Sequence, residues 1–279
     1  MMANILKREK QITVIGALAE GSSIRSIERL TGIHRDTIMR LGIRVGIGCT
    51  RILDKMMRNL KCKYIQVDEI WGFVGKKQKN VQPGENGIGN VWTFVAMDAE
   101  SKAVPCFKVG QRDTKTANAF IMDLSDRLIN RVQLSSDSLR AYAEAIEAGF
   151  GGEVDYGQIV KAYTSEKPLP ASSRYSPPRV ISVKKWPLVG NPENCKISTS
   201  YVEKQNLTIR MHCRRLTRLT NAFSKKLENF ESAIGLHFGY YNLVKIHSAI
   251  RMTPAMALNI TNNLWSIQDL VERALDESE

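Results

Sequence analysis

No run of about 18 apolar residues occurs anywhere in the chain, so no segment of it reads as a membrane-spanning helix. Cysteine is sparse and unpatterned. Cys49, Cys62, Cys106, Cys195 and Cys213 are odd in number, scattered and never in a C-x-x-C pair, which supports neither a disulfide framework nor a zinc knuckle and leaves them as reduced thiols. The opening MMANILKREK lacks the apolar core of a signal peptide, so the expected location is the cytoplasm. Acids are in the minority, 28 Asp and Glu against 40 Lys and Arg, for a net charge of +12. That balance favours a polyanionic partner, nucleic acid ahead of an anionic membrane. A length of 279 residues with 43% hydrophobic content suits one large packed domain and a small one, not a disordered chain.

From Lys7 to about Met57 the pattern is helical, with Ile12, Val14, Ile15 and Leu18 preceding a break at Glu20-Gly21. Ser22 and Ser23 can cap a second helix carrying Ile24, Ile27 and Leu30. Thr31-Gly32-Ile33-His34 then makes a tight turn into a third helix carrying Thr37, Ile38 and Leu41. Two helices joined by a turn containing Gly have helix-turn-helix spacing. In that motif the second helix enters the major groove, which makes Arg35, Thr37 and Arg40 candidates to meet DNA. The competing reading is a three-helix packing module with a solvated charged face.

After Lys61-Cys62-Lys63 the periodicity changes. KYIQVDEIWGFV is β-branched, aromatic and apolar, and a Gly/Asn/Pro-rich stretch from Gly75 to Asn90 follows as a long basic hairpin loop. VWTFVAMDAESKAVPCFKVG predicts two strands around Ala99–Lys102, TKTANAFIMDLSDRLI an amphipathic helix, and VQLSSD a short strand ending in Asp137. Three antiparallel strands, a helix and a further strand follow the order of a ribonuclease-H-like core. The expected fold is α+β or α/β: an N-terminal helix-turn-helix plus a ribonuclease-H-like core with a mixed sheet.

In TSYVEKQNLTIRMHCRRLTRLTNAF, Val202, Ile209 and Leu216 recur every seven residues on a core-facing stripe. Glu203, Arg210 and Arg214 fall about 100° round, so one helix is expected to present a carboxylate and phosphate-binding cations along one face. A charged helix face is usually only solvated. Three acids, Asp68, Asp137 and Glu203, then fit one scheme. Mg²⁺ is hard and prefers oxygen, and a pair of such ions about 4 Å apart activates the attacking oxygen and stabilises the leaving one at a phosphodiester. Strand physics alone does not choose Asp68 over Glu69, whose side chain points to the other face.

With those residues in place the chain resembles the DDE transposases of bacterial insertion sequences, most closely the group named for insertion sequence one. The strongest stretch is TSYVEKQNLTIRMHCRRLTRLTNAFSKKLEN, similar to the family's third-acid helix. YYNLVKIHSAIRMTPAMA resembles the closing motif of integrase-type cores, with Thr253 as an N-cap and Pro254 as the first helical residue. Asp68 in VDEIW, Asp137 and Arg140-Ala141-Tyr142 match the first two acid motifs. The resemblance implies catalytic, metal-holding roles for Asp68, Asp137 and Glu203, two Mg²⁺ or Mn²⁺ ions, and DNA contacts from Arg35, Thr37, Arg40, Arg210 and Arg214. It implies double-stranded DNA partners (terminal inverted repeats and a target), a homo-oligomer that joins two ends, a nucleoid-associated bacterial location, and no membrane, ATP or covalent protein–DNA intermediate. Segments are expected at 1–60 for DNA binding, 61–258 for catalysis with an insertion at about 155–197, and 259–279 for a helical tail. Three departures stand out. Ser138 follows Asp137 where relatives carry Gly. The front cysteine finger of some relatives is missing. Asp137 and Glu203 are 66 positions apart (203 − 137), with six of nine prolines between Pro168 and Pro192 and with Arg174, Arg179, Lys184 and Lys185 as further cations for DNA. A DNA-binding protein derived from an inactive transposase, or a stand-alone ribonuclease-H-like nuclease, are the other readings.

Overall fold

Six strands make a single mixed sheet in the order β3-β2-β1-β4-β5-β6, in a computed structural model that describes residues 6–163, 180–218 and 220–278. β1 (Tyr64–Val74), β2 (Gly89–Asp98) and β3 (Phe107–Gly110) are antiparallel neighbours. β4 (Val132–Asp137) and β5 (Val154–Tyr163) run parallel to β1, and β6 (Val180–Val189) returns antiparallel along the edge. The molecule is therefore a mixed α and β structure. The loop joining β1 and β2, residues 75–88, falls in the Gly75-to-Asn90 stretch that the sequence marks as a hairpin, where Gly75, Gly84, Gly87 and Gly89 all take positive φ.

Side-chain alternation along β1 assigns the helices to two faces. Gln66 accepts hydrogen bonds from the Tyr201 and Val202 amides at the start of α6 (Ser200–His212), and a Cβ on Gly72 would meet Leu216 and Phe230, so even-numbered positions face α6 and α7 (Leu227–Leu243). Odd-numbered Glu69 lies beside Phe94, whose ring packs on Phe120 of α4 (Thr114–Ser125) and Tyr142 of α5 (Arg140–Phe150). Both faces are covered, as a central parallel pair requires.

A further helical layer lies behind α7. It contains α1 (Arg8–Ala19), α2 (Ile24–Thr31), α3 (Arg35–Met56) and, after the short α8 (Pro254–Ala257), α9 (Ile267–Glu277). Ser23 caps α2 by accepting from the Ser26 amide, and Gly32 turns the chain at φ 70°, as the Ser-rich start and the Thr-Gly turn predict. Likewise Thr253 caps α8, with Pro254 in its first turn. α3 continues for 22 residues, and one side of its second half is buried, at Val45, Cys49, Ile52 and Leu53. A Cβ on Gly46 would overlap the Ser232 carbonyl on α7, and one on Gly48 would overlap Ala274 on α9. Glycine is what lets these backbones approach. The packing thus crosses the expected boundaries at residues 60 and 258, joining both end segments to the middle one in a shared core.

The expected insertion at about 155–197, read as irregular or as an extra hairpin, contains most of β5 and all of β6, which pair antiparallel. Its first nine residues, 155–163, belong with Val154 to β5, held between β4 and β6, where Val154 and Tyr156 bury on one face of VDYGQIVKAY and Ile159 on the other. Arg174 and Arg179 lie outside the described residues. Lys184 and Lys185 sit on β6, where Lys185 is already bonded to the Asn194 carbonyl.

Candidate active site

Asp68 and Asp137 come from neighbouring parallel strands. The β1–β4 register pairs Tyr64 with Gln133 and Gln66 with Ser135; continued, it brings Asp68 level with Asp137, the last residue of β4. Ligand oxygens of Asp68, Glu69 and Asp137 lie within 4.8 Å of one another, the arrangement of a cation site. Asp68 Oδ2 accepts from Asn206 Nδ2 at 2.8 Å, and Asp137 Oδ1 accepts from the Leu139 amide at 2.9 Å. Ser138 is not among the residues with positive φ, so the missing glycine leaves this turn unstrained.

The charge in this group is poorly compensated. Burial, together with the Glu69, Asp137 and Glu203 charges, pushes the Asp68 carboxyl up from 3.8 to about 7. Glu69 is also raised, chiefly by burial, but its oxygens are occupied. Arg112 Nη2 pairs with Oε1 at 2.6 Å and the Tyr142 hydroxyl donates to Oε2 at 3.1 Å. Glu69 points to the α4–α5 face as strand alternation requires, yet its carboxylate still reaches its neighbours past the end of β4. Three converging carboxylates, two of them with raised pKa values, suit a hard divalent ion such as Mg²⁺ or Mn²⁺ and not a soft one.

Glu203 stands in the first turn of α6, whose amide end is docked on Gln66. Its carboxylate is outside the compact group, held by Lys161 of β5 and by the Thr199 hydroxyl. It is nonetheless close enough to Asp68 to raise that residue's pKa, and Asn206, one turn on, touches Asp68 directly. Of the three expected acids, the structure gathers Asp68 and Asp137 and leaves Glu203 at their border.

The expected stripe of Glu203, Arg210 and Arg214 on one helix face is corrected by the end of α6. The helix stops at His212, because buried Cys213 leads into a 3₁₀ turn over Arg214–Leu216. Val202, Ile209 and Leu216 are all buried as expected, the last from that turn. Arg210 is partly buried and donates to the Leu216 carbonyl, while Thr217 donates back to the Arg210 carbonyl, so Arg210 closes the turn. Burial lowers its pKa to about 10. Arg214 leaves the Glu203 face altogether and lines a cavity against α3. Arg35, Thr37 and Arg40 are exposed on the first two turns of α3.

Arg112, Lys161 and Asn206 escape sequence reasoning as site residues, while Glu69 entered it only as the alternative to Asp68 and Tyr142 only as part of the second acid motif. Of the three that escape, Asn206 alone carried a signal, three residues after Glu203 and therefore on its side of the helix. No family model matches the chain, and no curated protein matches it significantly. A solved structure described as piggyBac transposase synaptic complex with hairpin DNA is similar over 96% of this chain and 70% of its own, at 10% identity and a TM-score of 0.46. That likeness is too slight to carry the reading, which rests on the site's own geometry.

Proposed function

We propose that the chain is a DNA transposase of the insertion-sequence-one type, with Asp68, Asp137 and Glu203 as its acids. The observation that carries this reading is the convergence of Asp68 and Asp137 from adjacent parallel strands of a sheet ordered 3-2-1-4-5, the ribonuclease-H-like order, under a helix bearing Glu203. Asp68 and Asp137 would hold the divalent ions, which supply charge stabilisation and oxygen activation at the scissile phosphodiester. The remaining residues position the acids. Asn206 fixes one oxygen of Asp68, Arg112 and Tyr142 hold Glu69, and Lys161 keeps Glu203 at the edge of the group. α2, the Gly32 turn and α3 act as a helix-turn-helix, presenting Arg35, Thr37 and Arg40 to terminal repeats. Two ends must be joined, so a homo-oligomer on double-stranded DNA is the working form. The net charge of +12 supports that partner.

The test is a supercoiled plasmid bearing the element's ends, incubated with the full-length protein and Mg²⁺ or Mn²⁺. Nicks followed by joined products are expected. Nicks without joined products make it a nuclease only, and end binding without nicks makes it a DNA-binding protein only.

A further inference from the structure

A cavity lies away from the carboxylates, at the opposite end of α6. His212 is nine residues beyond Glu203, about 13 Å along the helix axis. The cavity measures about 540 Å³, inside the range of small-ligand sites, and is walled by α2, α3, the turn after α6, and α7. Arg25, Arg35, Arg214 and Arg215 line it against a single carboxylate, Asp36. Arg214 Nε is buried with no hydrogen-bond partner. His237 of α7 is 4% exposed, lies on the cavity wall, and leaves both ring nitrogens unpartnered. Unpaired buried polar atoms of this kind carry a free-energy cost that a ligand removes.

We infer that this cavity binds a nucleoside monophosphate unit, with its phosphate on the Arg214–Arg215 side and its base against His237 and the apolar wall of Ile38, Met39 and Leu236. Guanidinium groups are the side chains best shaped for a phosphate, forking to two oxygens at once. Arg215 is already desolvated, with one nitrogen on the Ala222 carbonyl, so an anion meets little water to displace. Burial holds His237 neutral, its pKa lowered to about 3, so it offers one donor and one acceptor, the pair that a base edge presents in return. The same unit exists free in solution and at a phosphorylated DNA strand end. Both share the chemistry, and the experiment separates them.

Isothermal titration of the full-length protein with deoxyadenosine monophosphate is run in EDTA, so the carboxylate site takes no part. One equivalent should bind, with deoxyadenosine and inorganic phosphate each at least tenfold weaker. Arg214→Gln and, independently, His237→Phe should each weaken binding at least tenfold, while Asp68→Asn leaves it unchanged. Melting curves of both cavity variants check that they are folded. A 5′-phosphorylated trinucleotide that displaces the monophosphate, where its 5′-hydroxyl counterpart does not, assigns the occupant to a strand end; failure to displace assigns it to a free nucleotide. Absence of binding to the wild-type protein, phosphate binding as tightly as the nucleotide, or binding unaffected in both folded cavity variants overturns the inference. None of these outcomes bears on the metal-dependent reaction, which is read in a separate assay.

Discussion

The two ends of α6 carry opposite charge surpluses. Around its first turn, carboxylates outnumber their cations and Asp68 is pushed toward protonation; beyond its last turn, arginines outnumber acids and Arg214 Nε is left without a partner. A protein stabilised only by its own contacts would pair such groups with each other. Keeping them apart on one rigid helix leaves both ends short of a counter-charge, a cation at one and an anion at the other. Stability here is given up where ligands restore it.

The sharpest way to break this contrast is at the acidic end. Asp68→Asn and Asp137→Asn should each reduce Mg²⁺-dependent nicking to background while leaving end binding intact in mobility-shift assays, since binding rests on phosphate and base contacts elsewhere. Glu203→Gln should do the same. Glu69→Gln, by contrast, is expected to retain measurable nicking, because its oxygens already serve Arg112 and Tyr142. Full activity in Glu203→Gln would remove that residue from the site and promote Glu69 to the third acid.

Next in size is the helix that links the ends. Ile209 is fully buried, and Ile209→Ala should cost about 2–5 kcal/mol in denaturant unfolding through the cavity it leaves. Arg210→Ala should also lower the melting temperature, since it removes the donor that closes the Leu216 turn. An unchanged melting temperature with weakened DNA binding would restore Arg210 to the phosphate face.

A smaller effect belongs to the exposed start of α3. Arg40→Ala should weaken binding to the terminal repeat by about 1–3 kcal/mol and leave random duplex nearly unaffected, the signature of a base contact. Equal losses on both DNAs would leave Arg40 as a phosphate contact only.

The smallest effect is in pH. The folded-state pKa of Asp68 is about 7 against an ordinary 3.8, so the folded form binds its proton more tightly. Its contribution to stability is fully present below about pH 4 and is lost as pH rises through about 7. Metal-free Asp68→Asn should therefore melt a few degrees above wild type at pH 8, with a smaller gap at pH 5.5, and Mg²⁺ should close the gap by raising wild type alone. A wild-type melting temperature insensitive to Mg²⁺ at pH 8 would contradict the cation-seeking reading.

Local chemistry was legible in the sequence wherever one segment decided it. The Ser23 cap, the Gly32 turn, the Thr253-Pro254 start and the buried stripe of Val202 and Ile209 all came from spacing and residue type. Contacts between segments were not. Nothing in RMHCRRL announces that the helix ends at His212, because Cys213 is buried by tertiary packing and not by a helix-breaking residue. Glu69 joining the acids depends on β4 ending just where β1 continues, a relation between strands that alternation within one strand does not contain. β5 was hidden by its neighbours: the prolines that follow it drew the whole stretch into an irregular insertion or extra hairpin, although Val154 and Tyr156 already stand on one face of a strand.

The contact of Gly48 on Ala274 also bears on the order in which the protein can assemble. More than 200 residues separate α3 from α9, yet the apolar flank of α3 at Val45, Ile52 and Leu53 closes only when α7 and α9 arrive. During synthesis the first helices can form early, but their inner side must wait until residues 267–277 have left the ribosome. Until then that flank is a sticky surface, and a chaperone or an early encounter with DNA would meet the amino-terminal helices before their backing exists.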